Sequence, residues 1–385
     1  MITIVVGGQY GGEGKGKVCA FLARNENFEI VCRCGGINSS HTIVQNDRAY
    51  RFRMLPTAVS EARPKIVFGP GSLLHIPTLL KEMSDWNVHK DDVLIDPLAG
   101  IVSEECIKAQ RQDSRYQTIG STLTGTGYAT AERAKRRLKL ARDYQEISAM
   151  LGCTRNFLYR AAEQNKRILL EGHQGALLSN YHGDYPFTSS RDSTAAAMLS
   201  EVGLGLRWKY DVVLVIKAFE TRNHVGKLRN EIAADKALRM GIKEVGGGSW
   251  GIADRARRVG MFDHEVLQTA VQLNTPNRIA LTGVDYLFPS MKDATSADVE
   301  VADFETFLKS IQGWAGVAVE IVTTGPETAS GYYRAGSTQN NRAVTKEFVR
   351  SDGYQENRSN KHMNRHTEGS EMRKRRLAIR DLFDY

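Results

Sequence analysis

A chain of 385 residues, 41% hydrophobic and 25% charged, is long enough to bury a substantial core and too balanced to be disordered or fibrous. The formal charge of +8 is moderate; it suits a nucleic-acid binder or an enzyme whose substrates are all anions. No apolar run approaches the roughly 20 residues that span a bilayer, and five cysteines, odd in number and irregularly spaced, argue against a disulfide framework.

In chain order, the first element is the strand-like run "ITIVV" (2–6), and "GGQYGGEGKGKV" (7–18) follows it directly. Gly11-Gly12-Glu13-Gly14-Lys15-Gly16-Lys17 satisfies G-x-x-x-x-G-K between a strand and a helix. In such a loop backbone N–H groups converge on phosphate oxygens and the lysine neutralises charge. The hydroxyl expected next, a magnesium ligand, is absent: Val18 stands there. Taken alone, the loop reads equally well as a glycine-rich strand-to-helix turn.

Further strand-like runs follow: "FEIVCRC" (28–34), "KIVFG" (65–69), "DVLID" (92–96), "RILLEG" (167–172), "DVVLVIKAF" (211–219), "NRIALTGVD" (277–285) and "VAVEIVTT" (317–324). Helical patterns lie between them at 103–112, 130–151 and 263–274. Near-continuous apolar strands alternating with helices predict an α/β fold, a central mostly parallel sheet with helices on both faces. Gly7-Gly8, Gly35-Gly36, Gly172 and Gly283 close successive strands, at the carboxyl ends where open α/β sheets bind ligands. Cys32 and Cys34 have no second Cys/His pair at zinc spacing, which argues against a metal role. From about residue 337 the chain turns polar and mixed in charge, which predicts a folded domain over 1–336 and a basic extension over 337–385, read as a solvated surface rather than a nucleic-acid site. The chain reads as cytoplasmic and unprocessed, with no membrane partner.

The loop together with "GGINSSHTIV" (35–44) resembles the adenylosuccinate synthetase family, whose members carry G-x-Q-W-G-D-E-G-K-G-K and then G-G-x-N-A-G-H-T. The resemblance continues in order through "IGSTLTGTGYATAERAKRR" (119–137), "LLEGHQGALLSNYHGDYPFTSS" (169–190; the family has E-G-A-Q-G), "VIKAFETR" (215–222), "RARRVGMFD" (255–263), "ALTGVDYL" (280–287) and "TTGPE" (323–327). It implies a P-loop-like nucleotide ligase that joins a 6-oxopurine nucleotide to L-aspartate: the 6-oxygen takes the γ-phosphoryl group of a nucleoside triphosphate, and the aspartate amine then displaces it.

By position, the resemblance makes His41 the donor to the 6-oxygen, with Lys15 and Gln174 catalytic beside it. Gly11, Gly12, Glu13, Gly14, Lys15, Gly16, Lys17, Thr42, Asp285, Gly325 and Pro326 fall in the triphosphate site. Asn38 and Gln174 face the purine; Ser121, Thr122, Thr188 or Ser189 face the 5′-phosphate. Arg136 matches an arginine lent across a homodimer, Arg255 and Arg257 with Asp254 fall in the aspartate loop, and Gly12 and Ser40 fall where Mg2+ is held.

Some residues depart from the pattern. The family aspartate that takes the N1 proton and binds magnesium is Gly12; T-K-x-D becomes Thr282-Gly283-Val284-Asp285; T-T-G before the arginines becomes Ile252-Ala253-Asp254. Loss of a carboxylate beside N1 opens space for a purine 2-amino group. This is the pattern of the viral branch of the family, which looks to convert dGMP, aspartate and ATP into 2-amino-2′-deoxyadenylosuccinate, in the host cytoplasm if this chain is viral. The base then comes from Glu13, a water or a substrate phosphate; Asn223 and His224 are where deoxyribose is distinguished. The alternatives are the ordinary reaction of IMP with GTP, and a catalytically dead nucleotide binder.

Overall fold

The computed structural model describes residues 1–223, 225–242, 257–297, 299 and 301–334. All eight apolar runs become strands of one sheet: β1 (Ile2–Gly7), β2 (Ile30–Arg33), β3 (Lys65–Phe68), β4 (Val93–Ile95), β5 (Ile168–Glu171), β6 (Tyr210–Lys217), β7 (Arg278–Thr282) and β8 (Val319–Thr323). A ninth, β9 (Gly331–Tyr333), closes one edge. The order is β9-β8-β7-β6-β1-β5-β2-β3-β4, parallel throughout except for the antiparallel β8–β9 pair. Every residue of β1, β2 and β5 is buried, as expected of strands covered on both faces.

β1 lies at the centre. The chain runs from it to β2 on one side, returns to insert β5 between them, and crosses to β6 on the other side. The crevice beyond the carboxyl end of β1 is therefore the topological switch point. Register sets what meets there: Val5 of β1 and Arg33 of β2 both lie opposite Glu171, the last residue of β5. Helix α1 (Lys15–Asn25) packs Val18, Phe21 and Leu22 onto Val5, Leu169 and Val213 of the sheet. A hairpin, His41–Gln45 with Arg48–Phe52, leans on α1, and a three-stranded sheet of Glu220–Arg222, Arg258–Gly260 and Glu231–Ile232 stands beside β6.

Two of the predicted helices form, as α2 (Glu104–Gln112) and, after α3 (Thr126–Ala134) and α4 (Ala195–Val202), as α5 (His264–Asn274). The single helix expected over 130–151 does not. α3 stops at Ala134, and Arg136 turns left-handed at φ 63°. The chain then runs along Ala99–Ile101: Ile101 donates its N–H to Lys139 and Ala141 donates to Ala99. Short 3-10 turns cover Ala141–Asp143 and Gln145–Met150. The basic run has good helix propensity, but tertiary pairing that buries Ala141, Ile147 and Met150 overrides it. All five cysteines are free; Cys19, Cys32, Cys34 and Cys106 are buried and Cys153 is exposed. No helix among the described residues is long and apolar enough to cross a membrane. The extension proposed over 337–385 lies outside the described residues.

Candidate active site

The loop after β1 ends at Gly14, which caps α1 in the left-handed region at φ 88°, where only glycine sits without strain. Glu13 is folded inward. One carboxylate oxygen accepts from the N–H groups of Gln9 (2.9 Å) and Gly11 (2.8 Å), the other from Lys15 Nζ (2.7 Å). Gln9 pins the loop to β6 by exchanging two hydrogen bonds with the Lys217 backbone, and Thr282 Oγ1 donates to the Glu13 carbonyl at 2.6 Å. The loop is thus a preshaped cradle at a helix N-terminus. Both Glu13 oxygens help to shape it. Lys17 donates to the carbonyls of Ser330 (2.8 Å) and Gly325. Burial pushes its pKa down to about 8, against the pull of Asp285, Asp293 and Glu327.

His41 rests on the first turn of α1: a Cβ on Gly16 would lie 2.5 Å from that of His41. Its Nδ1 is 2.6 Å from Glu171 Oε1. The other Glu171 oxygen accepts from the N–H (2.8 Å) and hydroxyl (2.9 Å) of Thr57, and Arg33 Nη1 stands 3.6 Å from Oε1. Burial, reinforced by Arg33 and opposed by Glu171, pushes the His41 pKa down to about 4. Burial alone would raise Glu171, but His41, Arg33 and Thr57 outweigh it and hold the carboxyl below its usual range. A neutral ring beside an ionised carboxylate carries its proton on Nδ1 and presents Nε2 to the crevice as an acceptor. An anion arriving at the loop favours a second proton on the ring, which makes Nε2 the donor that the resemblance assigns to His41. Glu171 is the partner that sequence reasoning missed; its position at the end of an apolar strand, directly before a glycine, was the available signal.

Gln174 lies on the same loop, in the left-handed region at φ 47°. The following Gly175 packs directly on the phosphate loop: a Cβ there would meet Glu13 Oε1 at 2.3 Å and the Gln9 carbonyl at 2.4 Å. The amide oxygen of Gln174 is 2.7 Å from Nδ1 of the buried His173, whose Nε2 is 3.0 Å from Glu201 Oε1.

Gly12 does not face empty space. A Cβ at this position would lie 2.2 Å from Thr221 Oγ1 and 3.4 Å from Arg257 Nη1. The room expected from the missing aspartate is occupied by the Thr221 hydroxyl, from the strand beside β6. Magnesium fits these residues poorly. Gly12 brings no side chain, Ser40 brings a half-buried hydroxyl, Glu13 is committed to the loop, and no cluster of three His, Cys, Asp or Glu occurs among the described residues. A cation of this kind wants carboxylate oxygens or substrate phosphates.

Around this centre, Asn38 and Ser40 lie half-buried in the loop before His41, and Thr42 is exposed. Ser121 Oγ accepts from Gln110 at 2.7 Å, and Thr122 lies 3.1 Å from Thr124. Thr188 and Ser189 lie half-buried beside Ser190, whose hydroxyl is 3.2 Å from Thr130 of α3. The two segments expected at the 5′-phosphate therefore meet. Asp285 is half-buried, its pKa raised by burial and drawn down by Lys17 and Lys217. Gly325 touches Lys17, and Pro326 is exposed beside it. Arg136 is exposed, and its Nη1 donates to the Ala134 carbonyl at 3.3 Å. Asp254, Arg255 and His224 lie outside the described residues.

Comparison with known proteins matches residues 4–143 and 138–300 to the adenylosuccinate synthetase family model. The adenylosuccinate synthetase of Methanococcus aeolicus is 35% identical over 330 residues, covering 84% of this chain and 97% of that protein. The enzyme of Methanocaldococcus jannaschii is 36% identical, with 84% and 94% covered. Among solved structures, the fully ligated adenylosuccinate synthetase of Plasmodium falciparum shares the fold with a TM-score of 0.78 at 20% identity, over 86% of this chain and 99% of that one. The succinoaminodeoxyadenylate synthetase PurZ of cyanophage S-2L, bound to dGMP and dATP, does so with a TM-score of 0.73 at 22% identity, over 90% and 98%.

Proposed function

The chain belongs to the adenylosuccinate synthetase family of ligases, and from that premise we propose that it couples dGMP to L-aspartate at the expense of ATP or dATP, giving 2-amino-2′-deoxyadenylosuccinate. The observation that carries the choice of purine is Gly12 with Thr221 seated against it, where the family motif has an aspartate. A carboxylate is replaced by a neutral hydroxyl, which can accept from a purine 2-amino N–H. The S-2L protein, which has this fold, was solved with dGMP and dATP.

In this reading the purine 6-oxygen attacks the γ-phosphorus. The bond from that phosphorus to the β–γ bridging oxygen breaks, and the N1 proton leaves to a phosphate oxygen or water. The aspartate amine then attacks C6, the 6-phosphate departs with its oxygen, and the amine loses a proton. The Gly14–Lys17 turn holds the triphosphate and Arg257 with Arg255 takes the dicarboxylate. His41, charged in the presence of the phosphates and oriented by Glu171, donates to the oxygen on which charge develops. Arg136, in this proposal, completes the site of a partner subunit.

One observation favours a second reading, IMP with GTP: the archaeal relatives at 35–36% identity carry the name adenylosuccinate synthetase. Phosphate release with aspartate, magnesium and ATP, dATP or GTP, comparing dGMP, GMP and IMP, separates the two. Turnover with dGMP and little with IMP is the expected result. Turnover with IMP alone overturns the choice of purine, and silence with every pair despite tight nucleotide binding overturns the ligase assignment for this chain.

A further inference from the structure

We infer that His173 is a positioning residue for Gln174: its ring, donating to Glu201 on one side and to the Gln174 amide oxygen on the other, turns the Gln174 amino group toward the purine 6-substituent. The inference rests on the proposed ligase reading for what Gln174 touches, but the arrangement itself stands on geometry. His173 is wholly buried. Nε2 lies 3.0 Å from Glu201 Oε1, and Nδ1 lies 2.7 Å from Gln174 Oε1. Glu201 also takes a 2.5 Å ion pair from Arg191 and the Gly35 N–H at 2.9 Å.

A carboxylate and an amide oxygen are both acceptors, so a ring between them satisfies both contacts only with a proton on each nitrogen. That imidazolium faces the ionised Glu201, with Arg191 behind the carboxylate and the Cys34 thiol on the β2 side. Burial would raise Glu201, but Arg191 and His173 hold it down at about 2. The amide NH2 is then the end of Gln174 left to face the crevice, a donor matched to a 6-oxo group. If the ring loses its proton it keeps Nε2–H on Glu201, and Nδ1 becomes an acceptor. The amide must turn over to donate to it, and Gln174 then shows the purine an oxygen. That end suits the 6-amino N–H of the product and repels the 6-oxo substrate. The corresponding family motif, E-G-A-Q-G, has no side chain able to do this.

The test uses the full chain labelled with 15N-histidine. The His173 ring signals are assigned by their loss in His173→Ala, and in His173→Gln should the alanine cavity prevent folding. Both nitrogens protonated at neutral pH is the expected result; a single protonated nitrogen overturns the inference. In turnover, His173→Gln, which still offers an N–H to Gln174, keeps KM for the monophosphate near the wild-type value. His173→Ala raises KM for the monophosphate about tenfold and leaves KM for the triphosphate unchanged. An unaltered KM for the monophosphate in His173→Ala also overturns the inference. If no monophosphate is turned over by the wild type, the ligase reading fails, and the ring spectrum alone decides the role of His173.

Discussion

His41, neutral at neutral pH with its Nδ1 proton committed to Glu171, concentrates the chemistry of the site in one ring. His41→Ala is expected to lower turnover about 10²–10⁴-fold while largely sparing nucleotide binding; phosphate release and calorimetry measure the two, and full activity would refute the mechanism. Glu171→Gln, which keeps the bulk but not the charge that orients the ring, should cost about 10²-fold in kcat. The same ring has a signature in stability. Its folded pKa, about 4, lies below the unfolded value of 6.5, so its contribution is present above pH 6.5 and is lost as pH falls through about 4. The full difference is up to about 3 kcal/mol; melting of nucleotide-free wild type against His41→Asn across that range checks it, and parallel curves would contradict it. At Gly12, an aspartate must displace the Thr221 hydroxyl. Gly12→Asp alone should therefore cost about 1–3 kcal/mol of stability, and Gly12→Asp with Thr221→Ala should recover it and move preference from dGMP toward IMP in the phosphate-release assay.

At the level of elements, eight of the nine sheet strands were legible, because each is a continuous apolar run buried on both faces. β9 was not: three residues give no periodicity, and its place is set by pairing with β8. The His41 hairpin and the Thr221 strand escaped for a similar reason, being short and flanked by polar residues. The segment 130–151 was misread because Lys, Arg and Ala favour a helix locally, whereas what ends it is the contact with Ala99–Ile101. Arg136 bears the conformational cost of that break at φ 63°. Arg136→Gly is expected to stabilise the fold by about 0.5–1 kcal/mol, measured by denaturant midpoint. If this arginine serves a partner subunit, the same variant loses affinity for the monophosphate. The phosphate-loop spacing was legible, but only the segments that follow it in order set it apart from a glycine-rich turn. The His41–Glu171 pair spans 130 residues and the packing of Thr221 on Gly12 spans the sheet, so neither is visible before the fold is known.

At the scale of the whole molecule, the central position of β1 explains why one crevice gathers residues from so many parts of the chain. Loops after β1, β2, β5, β6, β7 and β8 all open on the same edge. The sequence reads residues 337–385 as a polar, solvated extension, and we expect a chain ending at 336 to fold and to turn over its substrates with unchanged kcat, with little change in salt dependence; loss of activity on truncation would give the extension a part in the site. The distribution of thiols has a practical consequence. Four of the five cysteines are buried, with burial raising Cys19, Cys32 and Cys34 far above their usual pKa, and only Cys153 reaches solvent. A thiol-reactive dye should therefore label the native protein once and the denatured protein five times. This chain thus carries its own fluorescent attachment point and, in the labelling stoichiometry, its own gauge of unfolding.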